Sequence, residues 1–269
     1  MAKIWTLAVM TFYEGIRERV FLGVLVFILF LLLISGILAQ LSIGNTLKVT
    51  QDIGLGGLNV LGLFIALFLS TQLMAKDLDK KTVYLVLCRP VSRGQYIFGK
   101  FVGLAFLNTL ALVAGFVLFL LALFFFSATT DLINPPIIAW GKHLVAFVFL
   151  LLRMFLVTAI AVFFSSFASN GLISFFFTLI VYFIGCNLNN VKLILESKIG
   201  ENISPSLKGI FSFAYWILPN ISLLDLKSWA VHDMTLSVAE LGLRFAYGTF
   251  FVAALLFLAA AMFSRRELS

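Results

Sequence analysis

Arg153 stands inside an apolar run, Leu150-Leu151-Leu152-Arg153-Met154-Phe155. A guanidinium placed in hydrocarbon costs about 2.5–3.5 kcal/mol on insertion scales unless it faces a cavity or a polar partner. Arg153 is therefore either a functional group lining a polar cavity or a tie between helices, with Gln72, Asn108, Thr109 and Asn187 as candidate partners. No Asp or Glu lies deep in an apolar run, so the carboxylate relay of many proton-driven carriers is missing. Gly94-Gln95-Tyr96-Ile97-Phe98-Gly99-Lys100 matches the first seven positions of a phosphate-binding loop, but Phe101 follows where a Mg²⁺-holding Ser or Thr is required. That stretch opens an apolar helix, and the spacing of Gly99 and Gly103 suits close helix packing instead. His143 and His232 are isolated and read as surface residues, and Cys88 and Cys186 suggest neither a disulfide nor a metal site. There is no Ser/His/Asp nucleophile arrangement. The expectation is a chain with no catalytic residues, no metal and no cofactor of its own, hence not an enzyme.

The elements that must position Arg153 follow from composition. Of 269 residues, 62% are hydrophobic and 12% charged, and the mean hydropathy is +1.12. Soluble chains carry about 45–50% apolar and about 25% charged residues, so the main solvent here is lipid. A helix needs roughly 17–25 apolar residues to cross a ~30 Å hydrocarbon layer. Six stretches meet this length: Val20–Ala39, Gly54–Ala75, Phe101–Ser127, Leu144–Phe164, Leu172–Leu188 and Phe245–Phe263. Strict alternation is absent, so they are helices and not barrel strands. The first is too long and lacks the cleavage site of a signal sequence. Lys3, Arg17 and Arg19 precede the first span, Lys76, Lys80, Lys81, Arg89, Arg93 and Lys100 lie between the second and third, and Arg265 and Arg266 follow the last. The short loops on the other side hold only Lys48 and Lys142. Positive loops stay inside, which places both termini in the cytoplasm and makes the net charge of +7 a matter of topology, with no nucleic-acid partner implied.

Three segments lie outside these spans. Residues 1–19 read as an interfacial helix, with Ile4, Trp5, Ala8, Phe12 and Ile16 on one side and Lys3, Glu14, Arg17 and Glu18 on the other. In the cytoplasmic loop 76–100, alternating charges lead into Val83-Tyr84-Leu85-Val86-Leu87 and stop at Pro90; Ser92 and Gln95 then have the spacing of a capping box that starts a new helix. A short helix from about Lys80 to Cys88 is predicted there, suited to press its apolar face into a groove of a soluble partner; the simpler alternative is a basic lipid-anchoring loop. Residues 189–243 lie on the outer side, contain Pro205 and Pro219, and predict re-entrant or surface-lying helices, with Tyr215, Trp216 and Trp229 in the interfacial belt.

Taken in order, several features resemble the ABC-2 type permeases. These are the amphipathic N-terminal helix, the loop before the second span with Lys48 and Asp52-Ile53-Gly54-Leu55, and the segment Asp79-Lys80-Lys81-Thr82 to Leu87-Cys88-Arg89-Pro90-Val91-Ser92-Arg93. Gly99-Lys100-Phe101 and Leu218-Pro219-Asn220 complete the series. The resemblance covers essentially the whole chain and is nearest to the branch associated with multi-copper enzyme maturation, such as the permease serving nitrous oxide reductase. Lys81-Thr82 and Leu87-Cys88 depart slightly from that branch's pattern.

The resemblance implies an all-α integral membrane fold of six spans, with an interfacial helix, a cytoplasmic coupling helix and an extracellular re-entrant segment. It implies an ABC ATPase bound beneath the membrane, carrying the ATP and Mg, and a second copy of the permease. The surroundings would be lipid in a bacterial inner membrane, and a periplasmic accessory protein could join. Asp79, Lys80, Lys81, Thr82, Val83, Tyr84, Leu85, Leu87 and Arg89 would couple to the ATPase; Trp216, Pro219 and Asn220 would belong to an extracellular gate; Arg153, Gln72 and Asn108 are the intramembrane polar candidates. The expected function is export, or transmembrane mechanical signalling, driven by the partner's ATP hydrolysis. The rival is a secondary transporter or channel built around Arg153.

Overall fold

A computed structural model describes residues 2–18, 23, 26–27, 30, 46–79, 91–129, 139–168, 170–196, 204, 208–209, 211, 215, 217–232 and 234–265. The described residues are almost all helical. The helices are α1 (Ala2–Arg17), α2 (Thr46–Phe64), α3 (Ser70–Asp79), α4 (Arg93–Thr129), α5 (Trp140–Phe167), α6 (Gly171–Glu196), α7 (Lys227–Val231) and α8 (Val238–Arg265). A π-helical turn, Ile65–Leu69, joins α2 to α3, and a 3₁₀ turn, Ile221–Leu224, precedes α7. Among the described residues, five stretches are long and apolar enough to cross a membrane: Lys48–Asp77, Arg93–Phe125, Trp140–Phe167, Gly171–Glu196 and Val238–Arg265. The first expected span, Val20–Ala39, lies largely outside the described residues, as does the short helix expected over 80–88.

The helices overrun the expected limits wherever polar residues continue the helical pattern. Lys48 and Asp52, expected in a loop, sit in the first two turns of α2. α4 starts at Arg93, where Ser92 and Gln95 exchange backbone bonds (Gln95 N–H to Ser92 Oγ, 3.2 Å; Ser92 N–H to Gln95 Oε1, 3.1 Å), the capping box expected there. An unforeseen second box, Ser237 with Glu240, starts α8 at Val238, well before Phe245. α6 continues to Glu196, so residues 189–196 are part of a membrane-length helix and not of the re-entrant region.

α5 is the central helix, with Met154, Leu156, Val157, Ile160 and Val162 fully enclosed by side chains such as Leu61, Ile65 and Leu112. Phe116 stacks on Phe147 across α4 and α5, with centroids 4.1 Å apart. α6 and α8 expose Phe176, Phe183, Phe250 and Phe257 along their outer faces, as lipid-facing helices do.

α1 lies against the first turns of α4, at the end of the bundle that also holds the ends of α3 and α8; this is called the proximal end. Gly99 and Gly103 permit the approach, since a Cβ on Gly103 would come within 2.6 Å of the Ala8 carbonyl oxygen and of Thr11, and one on Gly99 within 2.7 Å of Leu7. Arg93 closes the same end by donating to the Ser264 carbonyl at 2.8 Å, at the last turn of α8. At the distal end, residues 218–231 fold back between α2, α5, α6 and α8, burying Ile221, Leu224, Leu226, Ala230 and Val231. A Cβ on Gly185 would sit 2.7 Å from the Pro219 carbonyl oxygen, so only glycine lets this inserted segment approach α6 so closely.

Candidate functional site

Two polar clusters occupy opposite ends of the bundle. The proximal one joins three helices. Lys76, in the last turns of α3, donates to Glu18, the residue just past α1, at 2.7 Å and pairs with Glu14 on α1 at 3.0 Å. Lys100 on α4 pairs with Asp77 at 2.6 Å and Glu14 at 3.5 Å, and Tyr96 donates its hydroxyl to Asp77 at 2.6 Å. Lys100, Asp77 and Tyr96 are buried. Buried charges must be paired, and the alternation of acid and base across α1, α3 and α4 meets that condition. Chain spacing places them: Glu18 follows the last residue of α1 four positions after Glu14, and Tyr96 and Lys100 are one turn apart on α4. α3 and α4 are the two stems of the segment 80–92, so the cluster ties both stems to α1. Asp79 is the last residue of α3; the remaining coupling candidates, Lys80, Lys81, Thr82, Val83, Tyr84, Leu85, Leu87 and Arg89, lie outside the described residues.

The distal cluster centres on Arg153. Its Nη1 donates to Asp225 Oδ2 at 2.9 Å, while Nη2 reaches the Tyr182 hydroxyl at 3.4 Å and Cys186 Sγ at 3.1 Å. The guanidinium also lies 5.7 Å from the Tyr182 ring centre. The partners anticipated for Arg153 are therefore corrected. Asn108 is fully buried and donates to the Gly62 carbonyl at 3.5 Å; Thr109 and Asn187 bond to carbonyls of their own helices; Gln72 is exposed on α3. The anion came from the inserted segment, whose depth no apolar pattern announces. Asp225 is held ready by its other oxygen, Oδ1, which accepts the Lys227 backbone N–H at 3.1 Å.

The rest of the segment is fastened by single bonds. The Asn220 N–H donates to the Tyr247 hydroxyl at 2.7 Å, Ser222 donates to Asn220 Oδ1 at 2.6 Å, and Arg244 reaches the Leu223 carbonyl at 3.4 Å. Lys227 pairs with Asp52 at 3.3 Å, and His232 stands 3.8 Å from the same carboxylate. Pro219 and Asn220, two of the expected gate residues, lie in this segment and Asn220 is buried; Trp216 lies outside the described residues. His143 is not a surface residue: it is 1% exposed beside Phe119, its Nδ1 3.1 Å from the Ala139 carbonyl. One helical turn inside α5, it faces α4 and not water. Among the described residues no group of His, Cys, Asp and Glu could hold a metal ion.

Five membrane-length helices among the described residues, bundled together with a polar cluster holding a buried cation toward each end, define a multi-pass membrane protein. Its sequence matches the family model for ABC-2 family transporter proteins over residues 5–268, and the chain belongs to that family. It is thus the membrane component, the permease, of an ABC transporter, in a family that works with an ABC ATPase and is not a family of catalytic enzymes. The match does not favour a secondary transporter or channel. No curated protein matches the chain.

Proposed function

We propose that this permease couples ATP hydrolysis on a separate subunit, seated under the proximal end, to rearrangement at the distal end. The observation that carries the reading is the charge network Glu14–Lys76–Glu18 and Glu14–Lys100–Asp77, whose Lys100–Asp77 pair is buried and which fastens the α1 end to both stems of the segment 80–92. A push on that segment reaches α3, α4 and α1 together, because separating them would strand a buried charge. Residues Lys80 to Cys88 form the coupling helix on this reading, and Asp79 to Arg89 carry the ATPase contact. ATP and Mg belong to the partner, and this chain holds no cofactor.

The basic residues near the proximal end support a cytoplasmic location for both termini and for the ATPase, in a bacterial inner membrane. Two copies of the permease pair in the assembly. The inserted segment 218–231, with Trp216, Pro219 and Asn220, acts as the extracellular gate, and an accessory protein in the periplasm would meet it. The output is export or a mechanical signal, and Arg89-Pro90-Val91-Ser92-Arg93 support placement near the multi-copper enzyme maturation branch. The test is a gentle-detergent pulldown of the tagged chain from its native host, with ATPase activity measured for the native chain and for Lys80→Glu/Lys81→Glu. An ATPase that copurifies and is lost on charge reversal is expected. Absence of any ATPase after crosslinking would refute the coupling reading.

A further inference from the structure

The side chains of the distal ion pair are unequally buried: Arg153 is 6% exposed and Asp225 is 44% exposed. Withdrawing Asp225 into water therefore costs little on its own side, whereas leaving Arg153 without an anion strands a buried charge. If the inserted segment lifts, another anion has to take the place of Asp225. A cavity of about 300 Å³ lies beside the pair, lined by Asn59, Arg153, Asp225 and Lys227 on its polar side and by Leu55, Val60, Ala146 and Leu150 among its apolar residues. Val60 is 38% exposed, which puts an apolar residue of this lining at the bundle surface. Beneath, Arg153 Nε and Asn59 Oδ1 are buried with no hydrogen-bond partner.

We propose that this cavity binds an anionic amphiphile, whose phosphate or carboxylate oxygen replaces Asp225 on Arg153 while its apolar body lies along Leu55, Val60, Ala146 and Leu150. Lys227 at the same wall supplies a second positive charge, and its pairing with Asp52 is at the solvated edge, 39% and 35% exposed. Asp225 is then an internal competitor that fills the site at rest. Displacing it also frees the segment 218–231 from its one tie to the buried cation of α5. The site is contained in one chain and makes no use of the ATPase, so it stands or falls separately from the coupling reading.

The competitor argument gives an experiment whose sign a merely structural ion pair would not produce. The full chain is placed in phosphatidylcholine nanodiscs and titrated with dodecyl phosphate, with inorganic phosphate and phosphatidylglycerol as separate arms. Asp225→Asn is expected to tighten dodecyl phosphate binding by about tenfold or more, and Arg153→Gln to abolish it. In a Cys88→Ser background, dodecyl phosphate is expected to speed maleimide labelling of Cys186, which lies against Arg153. Competition by phosphatidylglycerol would identify a lipid headgroup as a source of the anion, and its failure would point to a detached amphiphile; either is compatible with the site. Should Asp225→Asn not fold, Val60→Trp keeps the ion pair, fills the cavity and is expected to lose binding. Unchanged or weaker binding in Asp225→Asn, binding that survives Arg153→Gln, or inorganic phosphate binding as tightly as dodecyl phosphate would overturn the proposal.

Discussion

Replacing Lys100 by methionine keeps the length and apolar stem of the side chain and removes one charge from the proximal cluster. Asp77 then loses a partner at 2.6 Å and Glu14 one at 3.5 Å. Breaking a buried pair by removing one member costs about 3–5 kcal/mol. Two circumstances reduce this figure. The Tyr96 hydroxyl still donates to Asp77, a bond to a charged group worth about 1.5–3 kcal/mol, and Glu14 is 29% exposed and keeps Lys76. A loss of about 2–3 kcal/mol is expected for Lys100→Met. Asp77→Asn on its own leaves Lys100 paired only with Glu14 and should cost about 1–2 kcal/mol. The double variant removes both charges and should be no less stable than Lys100→Met alone, a coupling of at least about 1–2 kcal/mol. Equilibrium unfolding of the four proteins by denaturant in mixed micelles measures this cycle. Additive losses, or a Lys100→Met protein within about 0.5 kcal/mol of the native chain, would refute the view that these charges act as one buried unit.

Other substitutions probe separate parts of the fold. Gly103→Val introduces methyl groups where Ala8 and Thr11 already lie, and should separate α1 from α4; spin labels on the two helices would report a longer distance, and an unchanged one would contradict the packing account. Tyr247→Phe leaves the Asn220 N–H without its acceptor and should cost about 1–3 kcal/mol, with faster proteolysis near residue 220 as the accessible readout. Ser92→Ala removes the cap of α4 and is expected to cost about 1 kcal/mol, while Ser92→Asp should retain most of the stability.

The membrane-length helices and the close approach at Gly99 and Gly103 were readable because both follow from local composition: a long apolar run has one solution in lipid, and glycines four apart present a flat strip. The helix ends were harder. Lys48, Asp52 and the residues from Asn189 to Glu196 look like loop by polarity, yet they extend α2 and α6 past the hydrocarbon, where nothing requires an apolar side chain. Ser237 and Glu240 did carry a readable signal, the same spacing that marks Ser92 and Gln95. The partner of Arg153 was not readable from spans at all. Asp225 lies 72 residues away in a segment too short to cross the membrane, and only folding brings it to mid-helix. His143 shows the converse, a lone polar residue that packing enclosed without giving it a task visible in its neighbours.

The two stems of the segment 80–92 differ in stiffness. α4 runs 37 residues without proline or irregular turn, a rod of about 55 Å, far longer than a ~30 Å hydrocarbon layer. Pivoting such a rod by about 5° around its middle carries each tip roughly 2–3 Å in opposite directions, so displacement at one membrane face is delivered undiminished at the other. The other stem has a joint: the π-helical turn Ile65–Leu69, where the Thr71 hydroxyl bonds to the Leu67 carbonyl at 2.7 Å, interrupts the regular ladder halfway down. A force entering both stems at once would swing one as a lever and bend the other at its elbow, turning a single stroke into a relative rotation of α4 against α2.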